Sequence, residues 1–191
     1  MAIIAISQSN YIPWRGYFDL INDCDIFVFL DDVQYTKQDW RNRNLIKTKN
    51  NKNWLTVPVG GEFNRKISEV CPINDTWQQK HKKSIYMAYA NAPFFKEYEY
   101  IIHEIYDNKK WLSLSELNQF SIKLICKALK INTLILNSKD IKKSDSKNKR
   151  LIDIIKYLKG NKYISGVKAK SYLNENLFNQ NNIDVIWKDY A

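Results

Sequence analysis

The sequence predicts an α/β fold: a mainly parallel open sheet with flanking helices, a short β excursion and a helical insert over about residues 75–130. Three observations predict it. Ile3–Ile6 and Ile26–Leu30 are apolar at every position, as expected of strands buried on both faces rather than on one. Strand-like and helix-like patterns alternate at both ends of the chain, the order that builds parallel βαβ units. Between them, from Asp75 onward, the apolar residues recur only at helical spacing.

Each element follows from its own pattern. The first strand runs to Ile6. Pro13 then favours an opening helical turn, and Trp14, Tyr17, Phe18 and Ile21 stand at i, i+3, i+4 and i+7, predicting a short helix with an aromatic inner face. The second strand, Ile26–Leu30, ends in Asp31-Asp32. Trp54–Val59 is β-rich, and Pro58 places it at an edge or a strand end. Ile67–Val70 is its expected hairpin partner. Helices follow over Trp77–Ala90, Phe94–Tyr106 and Ser113–Leu129. The last opens with the capping-box spacing Ser113-x-x-Glu116 and has Leu117, Phe120, Leu124, Ile125 and Ala128 as its expected core face. Asn132–Leu136 reads as a buried strand and Lys139–Arg150 as a solvated, disordered loop. Leu151, Ile154, Ile155 and Leu158 predict a helix stopped by Gly160. Lys162–Gly166 is a strand entering a small-residue turn, Ala169–Leu173 a short helix, and Ile183–Trp187 the last strand.

At 191 residues, with 45% apolar and 26% charged residues, the chain reads as one globular domain, 1–191. Cys24, Cys71 and Cys126 are odd in number and far apart, with no leader pattern before them. Free thiols in a cytoplasmic protein are therefore expected. No apolar run approaches the ~18 residues of a membrane span. The net charge of +10 is unevenly placed. Residues 1–36 hold five aspartates and one arginine, and residues 37–66 hold eight basic residues against Asp39 and Glu62. An acidic strand end beside a basic segment suits a phosphate-bearing small molecule, and it equally suits plain surface complementarity. A nucleic-acid module is the less favoured reading, since no recognised binding motif accompanies the charge.

Ligands of open α/β sheets bind beyond the carboxyl ends of strands where the strand order reverses, so the candidate site is sought there. Gln8, Asn10 and Tyr11 follow the first strand, an unusual concentration of hydrogen-bonding side chains for a turn. Asp31 and Asp32 follow the second, where a carboxylate serves as metal ligand or general base, or simply caps a turn or helix. Gln34, Lys37, Trp40, Asn42, Arg43 and Lys47 form the basic, aromatic stretch beyond, with Arg43 and Lys47 suited to phosphate or carboxylate. Trp14 and Trp40, like Tyr11, offer flat faces to a base or sugar ring. Ser165-Gly166 is the C-terminal counterpart, a turn small enough to let a ligand approach the backbone. His81 lies one helical turn from Trp77 and from Ile85 and is expected at least partly inside, as a site histidine or a packed one. His103 is read as structural. Neither histidine stands in metal-ligand spacing with another His or Cys, so no structural zinc site is expected, no metal ligand is assigned, and the sequence names no cofactor.

The motifs Gln8-x-Asn-Tyr-x-Pro-Trp-x-Gly-Tyr-Phe, Asp31-Asp-Val-Gln-Tyr-x-Lys, Trp40-x-Asn-Arg-Asn, Trp54-Leu-Thr-Val-Pro-Val and Tyr163-x-Ser-Gly together resemble the WbqC-like protein family, over nearly the whole chain. Members typically open with His-Gln-Pro-x-Tyr-x-Pro-Trp; here Ser7 stands at the histidine and Ser9 at the proline. The resemblance implies a place in O-antigen or other surface-polysaccharide biosynthesis. It implies work on a nucleotide-linked amino sugar by transfer of an acyl or aminoacyl group, such as glycyl, to the amine. Asp32 or His81 would then take the proton from the attacking amine. The alternative is a non-catalytic nucleotide-sugar-binding or assembly protein of the same pathway.

Overall fold

The computed structural model describes residues 2–62 and 64–190, and the chain forms two compact units. The first comprises Met1–Gln8, Trp14–Leu30 and Ile131–Ala191; the second comprises Ser9–Pro13 and Asp31–Lys130. The chain thus leaves the first unit twice, after its first strand and after its second.

In chain order the elements are β1 (Ala2–Ser7), α1 (Arg15–Asn22), β2 (Ile26–Phe29), β3 (Arg43–Lys47), β4 (Lys52–Thr56), α2 (Thr76–Tyr89), α3 (Phe95–Tyr106), α4 (Leu114–Ala128), β5 (Leu134–Asn137), α5 (Lys147–Tyr157), β6 (Gly160–Gly166), α6 (Glu175–Asn179) and β7 (Asp184–Lys188). Single 3-10 turns cover Ile67–Glu69, Ser138–Asp140 and Val167–Ser171.

The first unit is a five-stranded, wholly parallel sheet in the order β5-β2-β1-β6-β7. Successive side chains of a strand point to opposite faces, and both faces here are apolar. Ile4, Ile6 and Val28 join Ile152, Ile154 and Ile155 of α5 and Phe178 of α6 in one core. Phe27 packs edge-on against Tyr17 of α1, with ring centroids 5.6 Å apart, and against Phe29 at 5.3 Å. Double coverage explains why β1 and β2 carry no polar residue before their ends.

The second unit holds the β3–β4 hairpin and α2–α4. Its core gathers Tyr11, Leu55, Val57, Ile67, Val70, Trp77, Tyr106, Trp111, Leu114 and Leu117. Ser113 caps α4 as its spacing predicts, its hydroxyl accepting from the Glu116 backbone N–H at 3.3 Å.

Several local expectations are corrected. The partner of β4 is Arg43–Lys47, not Ile67–Val70, which turns instead as a 3-10 segment. Only Asn44 and Ile46 of β3 face inward, so its polar composition hides the strand. The buried face of α4 is Leu114, Ser115, Leu117, Asn118, Ser121, Ile122 and Cys126, rotated from the predicted stripe to admit polar side chains. β5 is an edge strand with Leu134 exposed, not a buried one. Lys139–Arg150 is ordered. Asp153 accepts the backbone N–H of Ser144 at 2.8 Å, Arg150 donates to the Ser144 and Asp145 carbonyls, and Ile141 is buried. α1 starts after Trp14 rather than at Pro13, leaving the Trp14 ring outside on Gly16 and on Tyr190, whose centroid lies 5.0 Å away. Gly160 does not stop α5. Lys159 makes that turn at φ 56°, and Gly160 opens β6, where a Cβ would stand 2.4 Å from the fully buried Ile4 side chain. His103 also has polar company that sequence spacing conceals: its Nδ1 lies 2.7 Å from Asp107 and its Nε2 3.0 Å from the Tyr86 hydroxyl.

Candidate functional site

In the first unit the strand order reverses between β1 and β6. From β1 the chain adds β2 and β5 on one side, then crosses to add β6 and β7 on the other. The register pairs Ala5 with Ile164, which brings the ends of these neighbouring strands, Ser7-Gln8 and Ser165-Gly166, to the same edge. This is the switch point at which parallel sheets receive ligands.

Two observations single out this edge. Gly166 is demanded by nothing among the described residues. Its backbone is extended (φ −70°, ψ 149°), which any residue adopts, and a Cβ placed there meets no atom within 4 Å. The Gln8 side-chain Oε1 is shut from solvent and has no hydrogen-bond partner among the described residues. The Gln8 carbonyl, by contrast, is engaged, accepting from the Tyr17 hydroxyl at 2.9 Å. A glycine that neither conformation nor packing requires, and an unpaired amide oxygen at the end of the neighbouring strand, suit a close-approaching ligand. Trp14 belongs to the same unit and is half exposed, but its ring is engaged with Gly16 and Tyr190.

The other predicted residues lie in the second unit. Asp31 is 1% exposed. It accepts from the Ser9 backbone N–H (2.8 Å), from Gln119 Nε2 (2.8 Å) and from the Ser115 hydroxyl, and its own carbonyl accepts from Ser68 N–H at 2.9 Å. It braces the Ser9–Pro13 segment against α4. Asn118 adds a second brace, donating to the carbonyls of Arg41 (2.8 Å) and Ser9 (3.4 Å). Asn44 holds the far end, donating to Ile12 O at 2.6 Å and Tyr11 O at 3.2 Å. Under this grip Ile12 is held at φ 42°, a left-handed conformation that a β-branched side chain resists and that clusters at functional segments.

Tyr11, fully buried, sits on a relay. Its hydroxyl lies 2.5 Å from that of Tyr106 and 2.7 Å from His81 Nδ1. Burial lowers the His81 pKa to about 4, and a hydrogen bond to the Thr56 backbone opposes that only in part. A backbone partner that favours the protonated ring is an acceptor. Nε2 therefore carries the proton toward the Thr56 carbonyl, and Nδ1 accepts from Tyr11, which accepts from Tyr106. Burial, reinforced by the neighbouring phenol, pushes the Tyr11 hydroxyl well above its ordinary range, and burial raises Tyr106 as well. All three groups are neutral at pH 7, and His81 has both ring nitrogens engaged.

Asp32 is half-buried directly after Asp31, and Gln34 and Lys37 are exposed beyond it. Asn42 is buried, donating to Val57 O at 3.0 Å, while its Oδ1 lacks a partner. Ser9 Oγ, Asn10 Oδ1, Asn118 Oδ1, Arg41 Nε and Arg43 Nε share that condition among the described residues. Six such atoms on three short segments is a high density, since native folds leave only a few per 100 residues. Arg43 and Lys47 lie on the outer face of β3. Among the described residues no group of three or more His, Cys, Asp or Glu is placed to hold a metal ion, and the cysteines are free.

Sequence reasoning missed Ser115, Asn118 and Gln119, which reach the Ser9–Arg41 region from far along the chain. Their signal was present as polar residues at i, i+3 and i+4 on the face of α4 that also carries Leu114 and Leu117. A buried polar residue is the informative kind.

Comparison with known proteins places this architecture. A model of the WbqC-like protein family matches residues 8–191. The uncharacterized protein Rv1507c of Mycobacterium tuberculosis is 42% identical over 192 residues, covering 100% of this chain and 83% of its own. Among solved structures, the Zn(II)-bound AdcAII H205L variant of Streptococcus pneumoniae aligns over 99% of this chain and 89% of its own, at 11% identity and a TM-score of 0.24, too low to indicate a shared fold. No described helix is long and apolar enough to cross a membrane. The chain belongs to the WbqC-like protein family.

Proposed function

We propose that this protein is an enzyme of surface-polysaccharide biosynthesis that transfers an acyl or aminoacyl group, such as glycyl, to the amine of a nucleotide-activated amino sugar. The observation that carries the reading is the β1–β6 switch point, with Gly166 at the end of one strand, unrequired by the described residues, and Gln8, whose Oε1 is unpaired, at the end of its neighbour. In parallel sheets this edge takes phosphate-bearing ligands, and the association of the family with polysaccharide genes supplies the sugar.

The chemistry asks little of the protein beyond positioning and one base. The neutral amine attacks the carbonyl carbon of the donor, the C–N bond forms, and the donor's leaving group departs with the electron pair. The nitrogen then sheds one proton. We assign that proton to Asp32, which is half-buried, since the nitrogen turns positive as the C–N bond forms and a carboxylate is a competent acceptor. His81 is assigned a positioning role: with both nitrogens engaged it holds Tyr11, and through it the Ser9–Pro13 segment.

Incubating the protein with nucleotide-linked amino sugars and acyl or aminoacyl donors, followed by mass spectrometry, tests the reading. The expected result is a sugar nucleotide heavier by the transferred group, with the gain lost in Asp32→Asn. Binding without any mass gain would replace the enzyme by a sugar-nucleotide-binding protein, and neither binding nor gain would remove both.

A further inference from the structure

The β3–β4 hairpin presents a face that its own fold does not explain. The register pairs Arg43 with Thr56, Leu45 with Trp54 and Lys47 with Lys52. By alternation these six share one face, opposite the inward Ile46 and Leu55, which are buried. Trp54 is 46% exposed, as is Trp40, whose ring centroid lies 5.7 Å away at an interplanar angle of 35°. The Arg43 guanidinium covers Trp54 at 4.4 Å.

Charge is as one-sided as shape. Arg43, Lys47 and Lys52 have no carboxylate partner among the described residues, and no acid shares their face. Asp39, beside Trp40 in sequence, is occupied by Arg41 at 2.5 Å, Thr36 at 2.6 Å and the Trp40 N–H at 2.7 Å. Lys47 directly opposite Lys52 is a like-charge cross-strand pair, which destabilises a hairpin. An open depression lined by Leu45 to Lys52 runs beside it. Two exposed indoles are unfavourable in water, and three unpaired cations on one small sheet repel one another. A single kind of ligand relieves both: a flat ring that stacks on tryptophan, carrying negative charge for the cations.

We propose that this face of the second unit is a nucleotide-binding platform, in which the base stacks on the Trp40–Trp54 pair and phosphate oxygens pair with Arg43, Lys47 and Lys52. Arg43 has a double part, stiffening Trp54 from one side while its unpaired nitrogens remain for phosphate. A neutral saccharide would use the indoles and leave the cations idle. The inference stands independently of the role given to the β1–β6 edge, and Trp54 and Lys52 stood outside the candidate site residues read from the sequence.

Isothermal titration of the full chain with uridine 5′-diphosphate and adenosine 5′-diphosphate at low salt tests it, alongside inorganic pyrophosphate, a neutral oligosaccharide and a short oligodeoxythymidine. The expected result is saturable binding of both nucleotides. It weakens about tenfold or more in Trp54→Ala, as for loss of a base–aromatic stack, and severalfold in Lys52→Gln. This component persists in Gly166→Val, which separates it from any nucleotide held by the first unit. Both platform side chains are exposed, so melting temperatures near that of the parent chain certify the fold. Four outcomes overturn the proposal: undiminished binding in Trp54→Ala, pyrophosphate binding as tightly as the nucleotides, equal binding of the neutral oligosaccharide, or binding confined to the oligonucleotide.

Discussion

Replacing Asp31 by alanine is expected to cost about 2–4 kcal/mol of unfolding free energy. The carboxylate is 1% exposed and accepts from Ser9 N–H, Gln119 and Ser115. Its removal leaves buried donors unpaired, at ~1–3 kcal/mol each. Two effects limit the loss. The Ser115 hydroxyl can turn to a carbonyl of its own helix, and the cost of keeping a charge out of water is refunded. The Ser9 N–H has no such alternative, being fixed in backbone that Asn118 and Asn44 also hold. Asp31→Asn keeps the shape and one acceptor oxygen and is expected to lose about half as much. Urea denaturation at pH 7, followed by tryptophan emission, reads both variants. Equal stability of Asp31→Ala and the parent chain would mean that the Ser9–Pro13 segment is anchored without this carboxylate.

The second large effect is a pH dependence. Folded His81 titrates near pH 4, against an ordinary value of 6.5. Between those values the unfolded chain binds the extra proton and the folded chain does not, so stability rises with pH across this window. The contribution is fully present above pH 6.5, falls as the pH drops from 6.5 toward 4, and is gone below. Its size is about 3 kcal/mol. His81→Gln keeps a neutral hydrogen-bonding side chain but cannot titrate. The stability difference between the parent chain and His81→Gln is therefore expected to shrink by about that amount from pH 7 to pH 4, in favour of the variant at low pH. A difference independent of pH would show that His81 takes up its proton as readily inside the fold as in the unfolded chain.

The sequence made some of this plain and hid the rest for identifiable reasons. The parallel sheet was legible because strands covered on both faces cannot afford a polar residue, and Ile3–Ile6 and Ile26–Leu30 contain none. The strand order was not, since pairing β1 with β6 joins residues far apart in sequence, and no local pattern encodes that. β3 escaped notice because its outer face is Arg43, Leu45 and Lys47, leaving only Asn44 and Ile46 to signal an interior. The Lys139–Arg150 loop reads as disordered by composition, yet Asp153 and Arg150 fasten it through backbone bonds that composition does not register. Gly160 and Gly166 look alike in the sequence and differ in meaning: the first is needed for contact with Ile4, the second for nothing among the described residues. Motif spacing located Gln8, Asp31 and Arg43 and suited Arg43 to phosphate, while the hydrogen bonds that Asp31 accepts were not legible in it. In the structure Asp31 and His81 hold buried hydrogen bonds, and Gln8, Gly166 and the Trp40–Trp54 pair are the groups we propose to meet ligand.

Gly166→Val tests the central claim most directly. Valine suits an extended backbone, and its Cβ meets nothing within 4 Å, so the melting temperature should stay at that of the parent chain. If a ligand passes over Gly166, the rate of acyl transfer to the nucleotide-linked amino sugar falls about tenfold or more, a loss of ~1.4 kcal/mol or greater. A Gly166→Val protein that transfers the group at the parent rate would contradict the assignment of the β1–β6 edge as the site.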